Sequence, residues 1–118
     1  MDYNKLIVVD FDDTLCLHGE DKSNIAVGQP NWPLIIELNR LEDEGYIIHI
    51  YTARGHISAE SRKAADQKYR GIITEWLNIY NVKHHKLSFE KPLAFLYIDD
   101  RAIRPNEIDK LTKLTSKN

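Results

Sequence analysis

The chain has 118 residues, of which 42% are hydrophobic and 29% charged, a composition that excludes an intrinsically disordered protein. Its formal net charge of −2 gives no general attraction to nucleic acid, although a local basic patch stays open. The single cysteine cannot form an internal disulfide, and no apolar run is long enough to span a bilayer. We therefore expect one domain over residues 1–118, in the cytoplasm and without a membrane partner.

The first half of the chain predicts two strands with a helix between them. Residues 6–9 are apolar and rich in β-branched side chains, which predicts a parallel strand buried on both faces. Residues 16–32 are rich in glycine and polar residues and predict an irregular loop. Pro33 suits the first turn of a helix that ends before Gly45, and Ile47–Tyr51 predicts the second strand.

The second half of the chain predicts two helices and two further strands. Ser58 is the predicted cap of a long helix, whose apolar positions continue at helical spacing over residues 69–80. Residues 85–89 predict a short strand, residues 95–98 a buried one, and residues 106–114 a final helix. This alternation predicts an α/β layered fold with a mostly parallel sheet.

Polar side chains follow three of the predicted strands. Asp10, Thr52 and Asp99 each come directly after an apolar run. Right-handed crossovers bring the carboxyl ends of parallel strands to one edge of the sheet, where ligands bind. The sequence therefore predicts that these residues converge at one rim.

That rim would hold several carboxylates, contributed by Asp10, Asp12, Asp99 and Asp100. Two carboxylates about 5 Å apart repel by roughly 3 kcal/mol at an effective dielectric of 20. Such a cluster raises its own pKa values or recruits a cation. Hard oxygen ligands suit Mg²⁺. One aspartate would be interpreted as a solvated strand end, whereas two clusters after predicted buried strands favour a magnesium site.

Four motifs then occur in a fixed order: "DFDDT" from residue 10, "YTARG" from residue 51, "EKP" from residue 90 and "YIDDRA" from residue 97. This arrangement resembles the haloacid dehalogenase superfamily, whose members are mostly Mg²⁺-dependent phosphohydrolases. The chain looks closest to small capless phosphatases of bacterial sugar and capsule pathways and of phages. The resemblance implies a three-layer Rossmann-like sandwich with no cap domain.

The resemblance also implies roles for individual residues. Asp10 would be the nucleophile that becomes an aspartyl phosphate, and Asp12 the acid and base that serves the two half-reactions. Thr52 would hold a phosphate oxygen, and Lys91 would neutralise charge on the phosphoryl group. The implied metal set is Asp10, Asp12 (through its backbone carbonyl), Asp99 and Asp100. The implied substrate set is Thr52, Ala53, Arg54 and Lys91.

The chain departs from the family pattern at a few positions. Asp13 replaces a frequent glycine, Glu90 stands where close relatives often have glycine, and His84 and His85 replace a frequent Tyr-Asp pair. Neighbouring strand residues face opposite ways, so His84 and His85 are not expected to share a metal. For Arg54 and His56, substrate contact and loop solvation stay open as alternatives.

The function predicted is an Mg²⁺-dependent phosphomonoesterase acting on a small phosphorylated metabolite such as a sugar phosphate. Alternatives are a nucleotide or polynucleotide-end phosphatase, a receiver-type phosphoacceptor, and a binding module that has lost activity. Neither insertion point can hold a cap with its own core. We therefore expect an open site, covered if at all by a second copy of the chain or by the loop at residues 16–32.

Overall fold

The computed structural model describes residues 3–18, 28–55, 61–92 and 94–116. Within these ranges no helix is long and apolar enough to cross a membrane. The elements in chain order are a 3-10 turn (Tyr3–Lys5), β1 (Leu6–Asp10), β2 (Cys16–Leu17), β3 (Gln29–Pro30), α1 (Trp32–Asp43), β4 (Ile47–Tyr51), α2 (Arg62–Ile79), β5 (Lys86–Ser88) and α3 (Ile108–Leu114).

The main sheet is parallel, with the strand order β1-β4-β5, which confirms the predicted α/β class. The register aligns Val9 with Ile50 and Ile50 with Leu87, and all three side chains are buried on one face. On the opposite face Val8 is 51% exposed. The chain moves across the sheet in one direction from β1 to β4 to β5, and the right-handed rule for parallel crossovers then puts α1 and α2 on the same side. The prediction that residues 6–9 are buried on both faces is therefore wrong, and a three-layer sandwich is not confirmed.

Capping side chains and a glycine define the ends of the helices. The Asn31 side chain accepts a hydrogen bond from a backbone N–H one turn into α1, and Pro33 lies in the first turn as predicted. Gly45 has a φ of +97°, a left-handed conformation that glycine adopts without strain and that ends the helix segment. The Ser61 hydroxyl caps α2. Ser58, the predicted cap, lies outside the described residues.

The predicted irregular loop at residues 16–32 contains a short antiparallel ladder. In it, β2 pairs with β3, so that Cys16 is opposite Pro30. The Trp76 indole N–H donates to the carbonyl of Gly28 at 3.2 Å, and the Trp76 ring meets Phe11 edge-on at 5.2 Å between centroids. This ladder and the indole hold the two ends of the loop against the core.

The segment at residues 94–98 differs most from the prediction. No strand is present there, and Phe95 and Ile98 are 96% and 95% exposed. The Tyr97 hydroxyl donates to the carbonyl of Pro92, which turns the segment back on itself. Among the described residues, β1 is paired only with β4. The predicted buried strand at 95–98 is wrong because apolar character does not fix strand pairing, which depends on distant partners.

A groove of about 440 Å³ runs along the unpaired edge of β1. Its walls include Val8, Leu34 and Ile103, and its polar end includes Asp10 and Asp99. The groove therefore joins the carboxyl end of β1 to the segment at residues 99–105.

Candidate active site

The parallel order of the sheet brings together residues that are far apart in sequence. Asp10 ends β1, Thr52 follows β4, and Lys91 follows β5. The backbone N–H of Thr52 donates to the carbonyl of Ser88 at 3.0 Å, so the strand pairing extends one residue beyond β4. The predicted convergence of Asp10 and Thr52 at one rim is confirmed, and Lys91 joins them.

The Asp10 carboxylate lies between a cation and a hydroxyl. The Lys91 Nζ is 3.2 Å from Asp10 Oδ1, and the Thr14 hydroxyl donates to Oδ2 at 3.3 Å. Burial raises the pKa of Asp10, and the charge of Asp12 raises it further, while Lys91 lowers it in part. A single amine therefore does not offset the cost of burying this carboxylate, and the rim favours additional positive charge.

Lys91 is itself largely buried. Only 11% of its side chain is exposed, and its Nζ lies 5.2 Å from the ring centroid of Tyr51 and 4.3 Å from that of Tyr97. Cations over aromatic faces gain electrostatic stabilisation that is larger when water is excluded. The ammonium is thus aimed at Asp10, and Tyr97 links the site to the exposed segment at 94–98.

The Asp12 carboxylate accepts contacts from three different side chains. The Thr52 hydroxyl donates to Oδ2 at 3.1 Å, and Arg54 Nη2 lies 2.5 Å from Oδ1. The His18 Nε2 lies 2.9 Å from the same Oδ1 atom. The Arg54 guanidinium also lies 5.9 Å from the Tyr69 ring centroid. Asp12 is therefore held at both oxygens, close to Asp10.

A tight turn carries Asp12 back toward the core. The backbone N–H groups of Leu15 and Cys16 both donate to the carbonyl of Phe11 at 3.0 Å. Asp13 has a φ of +59°, in the left-handed region that glycine, asparagine and aspartate tolerate best. The Asp13 carboxylate accepts the His18 backbone N–H at 3.2 Å. Aspartate therefore fits this turn without the strain that a β-branched residue would meet.

The remaining candidates have structural roles or lie elsewhere. Burial raises the pKa of the Cys16 thiol to about 12, so this cysteine is an inert core residue. The His84 Nδ1 lies 3.0 Å from the carbonyl of Val82, whereas the His85 Nδ1 accepts the Ile48 N–H, so the two rings serve separate contacts. His56 lies outside the described residues.

The second acidic pair does not join the first one. Asp99 and Asp100 are exposed, and Asp99 Oδ1 accepts the Arg101 backbone N–H at 2.8 Å. Within residues 3–18, 28–55, 61–92 and 94–116, no group of three or more acidic, histidine or cysteine side chains is placed to hold a metal. The expectation that all four aspartates share a small volume is not met here. Their assignment to magnesium stays a prediction.

Sequence reasoning placed Asp10, Asp12, Thr52, Arg54 and Lys91 in one site, and these five meet in the structure. Ala53 lies half-buried between two of them. The sequence did not predict a role for His18, which lies six residues after Asp12 in an irregular stretch. A lone histidine in a loop has no periodic or motif signal that distinguishes it from a solvated one. Its role emerges only from the turn at Asp13.

Together the fold and the cluster define an α/β protein that gathers carboxylates, a hydroxyl and cations at the carboxyl ends of its parallel strands. An MCSG target from Vibrio cholerae, solved as a crystal structure, matches the chain with a TM-score of 0.76 and 30% sequence identity. The match covers 93% of this chain and 95% of that chain, so the chain belongs to the same family as the Vibrio cholerae protein. No activity is attached to that protein's name. No family model and no curated protein matches the chain.

Proposed function

We propose that the chain is a phosphomonoesterase of the haloacid dehalogenase type, which forms an aspartyl phosphate on Asp10. The observation that carries the proposal is the pairing of Asp10 Oδ1 with Lys91 Nζ at 3.2 Å beside an acid, Asp12, that accepts separate donors. Nucleophile, charge neutraliser and acid thus occupy one rim. Phosphoryl transfer depends mainly on positioning and on electrostatic stabilisation of this kind.

The reaction would proceed in two half-reactions. In the first, an Asp10 carboxylate oxygen attacks phosphorus, the ester P–O bond breaks, and Asp12 gives a proton to the departing alkoxide. In the second, Asp12 takes a proton from water, the resulting hydroxide attacks phosphorus, and the bond to Asp10 breaks. Inorganic phosphate leaves and the free Asp10 carboxylate is restored.

The other residues of the rim would hold the phosphoryl group. Lys91 lies close enough to Asp10 to contact a phosphoryl oxygen bound there. Thr52 supplies a buried hydroxyl directly after the neighbouring strand β4, and Ala53 and Arg54 follow it in the loop. The Arg54 guanidinium, which pairs with Asp12 in this structure, is a second cation within reach of the same region.

Magnesium fits the chemistry of the donors, since Asp10 and Asp12 supply the hard oxygen atoms that this ion prefers. The raised pKa of Asp10, caused first by burial, is consistent with a site that is short of positive charge. We propose that Asp10, the Asp12 carbonyl, Asp99 and Asp100 hold the ion. When bound, it would neutralise charge on the phosphoryl oxygens.

The finer fold is part of the same proposal. A three-layer Rossmann-like sandwich needs a cover on the sheet face that carries Val8, and we propose that the exposed apolar side chains of Phe95 and Ile98 supply it. Asp99 already lines the groove that begins at Asp10. We propose that metal binding draws Asp99 and Asp100 toward Asp10 and brings that segment with them.

We propose that the substrate is a small phosphate monoester bound at an open rim. A monomer should then discriminate weakly among small esters, unless a second copy of the chain or the loop at residues 16–32 covers the site and supplies specificity. Measuring the solution mass beside the substrate screen distinguishes these two covers. A strict monomer that selects one sugar phosphate sharply, unaffected by trimming of residues 19–27, would contradict both.

The decisive experiment is a screen of phosphate monoesters by phosphate release, with Mg²⁺ or with excess chelator. The panel contains sugar phosphates, nucleotides and a 5′-phosphorylated oligonucleotide, and Lys68→Met serves as a control for a remote cation. We expect turnover that requires Mg²⁺ and is lost in Asp10→Asn. Labelling of Asp10 at one phosphate per chain without release would instead indicate a receiver-type phosphoacceptor. No labelling and no release would leave a binding module.

A further inference from the structure

The imidazole ring of His18 is buried and contacts Asp12, the proposed acid. Only 1% of its side chain is exposed, and its Nε2 lies 2.9 Å from Asp12 Oδ1. Its Nδ1 has no hydrogen-bond partner within the described part of the chain. An ionised carboxylate only accepts, so the tautomer with the proton on Nε2 makes this contact a hydrogen bond from the ring to Asp12. Arg54 Nη2 lies 3.4 Å from the same Nε2 atom. At this depth the ring cannot reach a substrate bound at the rim.

The backbone around His18 is shaped to hold the ring in this place. Its own N–H is fixed by Asp13, and Gly28 lies against the ring. A Cβ added at Gly28 would come within 2.2 Å of Cys16 Sγ and 3.2 Å of two ring atoms of His18. The Trp76 indole holds the Gly28 carbonyl from the other side. The ring therefore occupies a closed slot that runs from the core to Asp12.

The two Asp12 oxygens have different surroundings. Oδ1 contacts both His18 and Arg54, whereas Oδ2 contacts only the hydroxyl of Thr52 among the described residues. A hydroxyl can rotate between donating and accepting, but an arginine only donates. Oδ2 is thus the oxygen that can carry a proton, and Oδ1 is the oxygen that is anchored.

We propose that His18 is a positioning residue that anchors Asp12 Oδ1, so that Oδ2 faces the leaving oxygen of the ester. The inference rests on the phosphatase function proposed above and deepens it. In the first half-reaction the proton moves from Oδ2 to the leaving oxygen as the P–O bond breaks. The anchor contributes to this proton transfer and leaves the attack by Asp10 unaffected.

Leaving-group chemistry separates these two events. An alkyl phosphate releases a strongly basic alkoxide and needs the acid, whereas p-nitrophenyl phosphate releases a weakly basic phenolate that departs without it. His18→Gln keeps an N–H donor near the Nε2 position. His18→Leu and His18→Asn remove the donor from that position. Leucine has a similar bulk but no N–H group, and the asparagine side chain is too short to bring its N–H group to the Nε2 position.

The experiment measures kcat/KM for both esters at one pH with Mg²⁺, because kcat/KM reports the first half-reaction and does not include the later attack of water that both esters share. We expect His18→Leu and His18→Asn to lower kcat/KM for the alkyl ester by roughly tenfold to a hundredfold, part of the contribution typical of general acids. The loss of kcat/KM on p-nitrophenyl phosphate should be under about threefold. His18→Gln should restore most of kcat/KM. His84→Asn, the same change at a histidine that contacts Val82, should match wild type on both esters.

Each other outcome has a definite meaning. If wild type hydrolyses neither ester, the proposed function fails and this inference fails with it. If wild type is active but the variants lose equally on both esters, or His18→Gln is no better than His18→Leu, the inference alone is overturned. Failure of both donor-free variants to melt cooperatively, when His18→Gln does, would also overturn it, because His18 would then serve folding.

Discussion

Two acidic pairs with similar sequence surroundings have very different environments in this molecule. Asp10 and Asp12 follow an apolar run that forms a paired strand, and each carboxylate contacts at least one cation. Asp99 and Asp100 follow an apolar run of the same length that is exposed and unpaired in the described structure. The same local pattern therefore produces a built site in one place and a solvated turn in the other.

The difference is supplied by neighbours in space. The first pair is flanked by β4 and β5, which deliver Thr52 and Lys91 to the same edge. In the second pair, Asp99 accepts the backbone N–H of Arg101, two residues further along the chain, and no ion pair to Asp99 or Asp100 is present among the described residues. Carboxylates become a site when strand pairing brings cations and donors to them. The contrast can be tested in two ways. Substitutions at Asp10 and Lys91 remove groups of the first site, and Mg²⁺ should draw Asp99 and Asp100 toward Asp10.

The largest effect is expected from Asp10→Asn. The amide is nearly the same shape but a poor nucleophile, so kcat should fall by several orders of magnitude in phosphate-release assays. Asp13→Asn is the matched control, because asparagine tolerates the left-handed backbone at that position and keeps an acceptor for the His18 N–H. Wild-type turnover in purified Asp10→Asn would refute the covalent mechanism.

A smaller but still large effect is expected from Lys91→Met. Lys91 Nζ contacts Asp10, whereas Lys68 is exposed on α2 with its Nζ 5.1 Å from the Tyr69 ring centroid. We expect Lys91→Met to lower kcat/KM by roughly a hundredfold or more through lost charge stabilisation, and Lys68→Met to leave it unchanged. Steady-state kinetics with one ester is sufficient. The reverse ranking would move the site away from the rim.

Recruitment of the second pair can be measured by proteolysis. Phe95 and Tyr97 are exposed aromatic residues that chymotrypsin should cleave rapidly in chelator. If Mg²⁺ draws Asp99 and Asp100 to Asp10, cleavage should slow by about tenfold, because proteolysis follows the population of the open segment. The protection should disappear in the double variant Asp99→Asn, Asp100→Asn. Magnesium-dependent activity without any protection would show that the segment stays open during turnover.

Much of the first region was predictable from sequence, and little of the second. The strands at Leu6–Asp10, Ile47–Tyr51 and Lys86–Ser88 have local apolar patterns, and parallel pairing then dictates that Asp10, Thr52 and Lys91 meet. The anchor at His18 could not be predicted, since it depends on a left-handed turn at Asp13. Residues 95–98 have the same apolar pattern as β1, yet pairing is decided by long-range contacts that a local pattern does not contain.

The smallest effects concern two carboxylates, one half-buried and one buried, with opposite pKa shifts. Burial raises the pKa of Asp10 above its ordinary value of 3.8. Hydrogen bonds from Arg40, assisted by Thr112, lower the pKa of Glu37 below its ordinary value of 4.5. Glu37 Oε2 accepts from the Thr112 hydroxyl at 2.8 Å and so joins α1 to α3. One carboxylate belongs to the proposed site, and the other only to the scaffold.

The signs of their pH dependence follow from proton linkage. For Glu37 the stabilisation is present above the unfolded pKa and is lost as pH falls through the lower folded pKa. For Asp10 the stabilisation is present below the unfolded pKa and is lost as pH rises through the higher folded pKa.

Glu37→Gln should therefore reduce the free energy of unfolding at pH 7 by roughly 1 kcal/mol, about the contribution of one hydrogen bond, and by less at pH 4. Asp10→Asn should change stability more favourably, relative to wild type, at pH 7 than at pH 4. Thermal melts at the two pH values give both differences, with 1 kcal/mol corresponding to about 4 °C in Tm. Equal pH trends for the two variants would mean that ionising Asp10 destabilises the folded state no more than ionising Glu37 does.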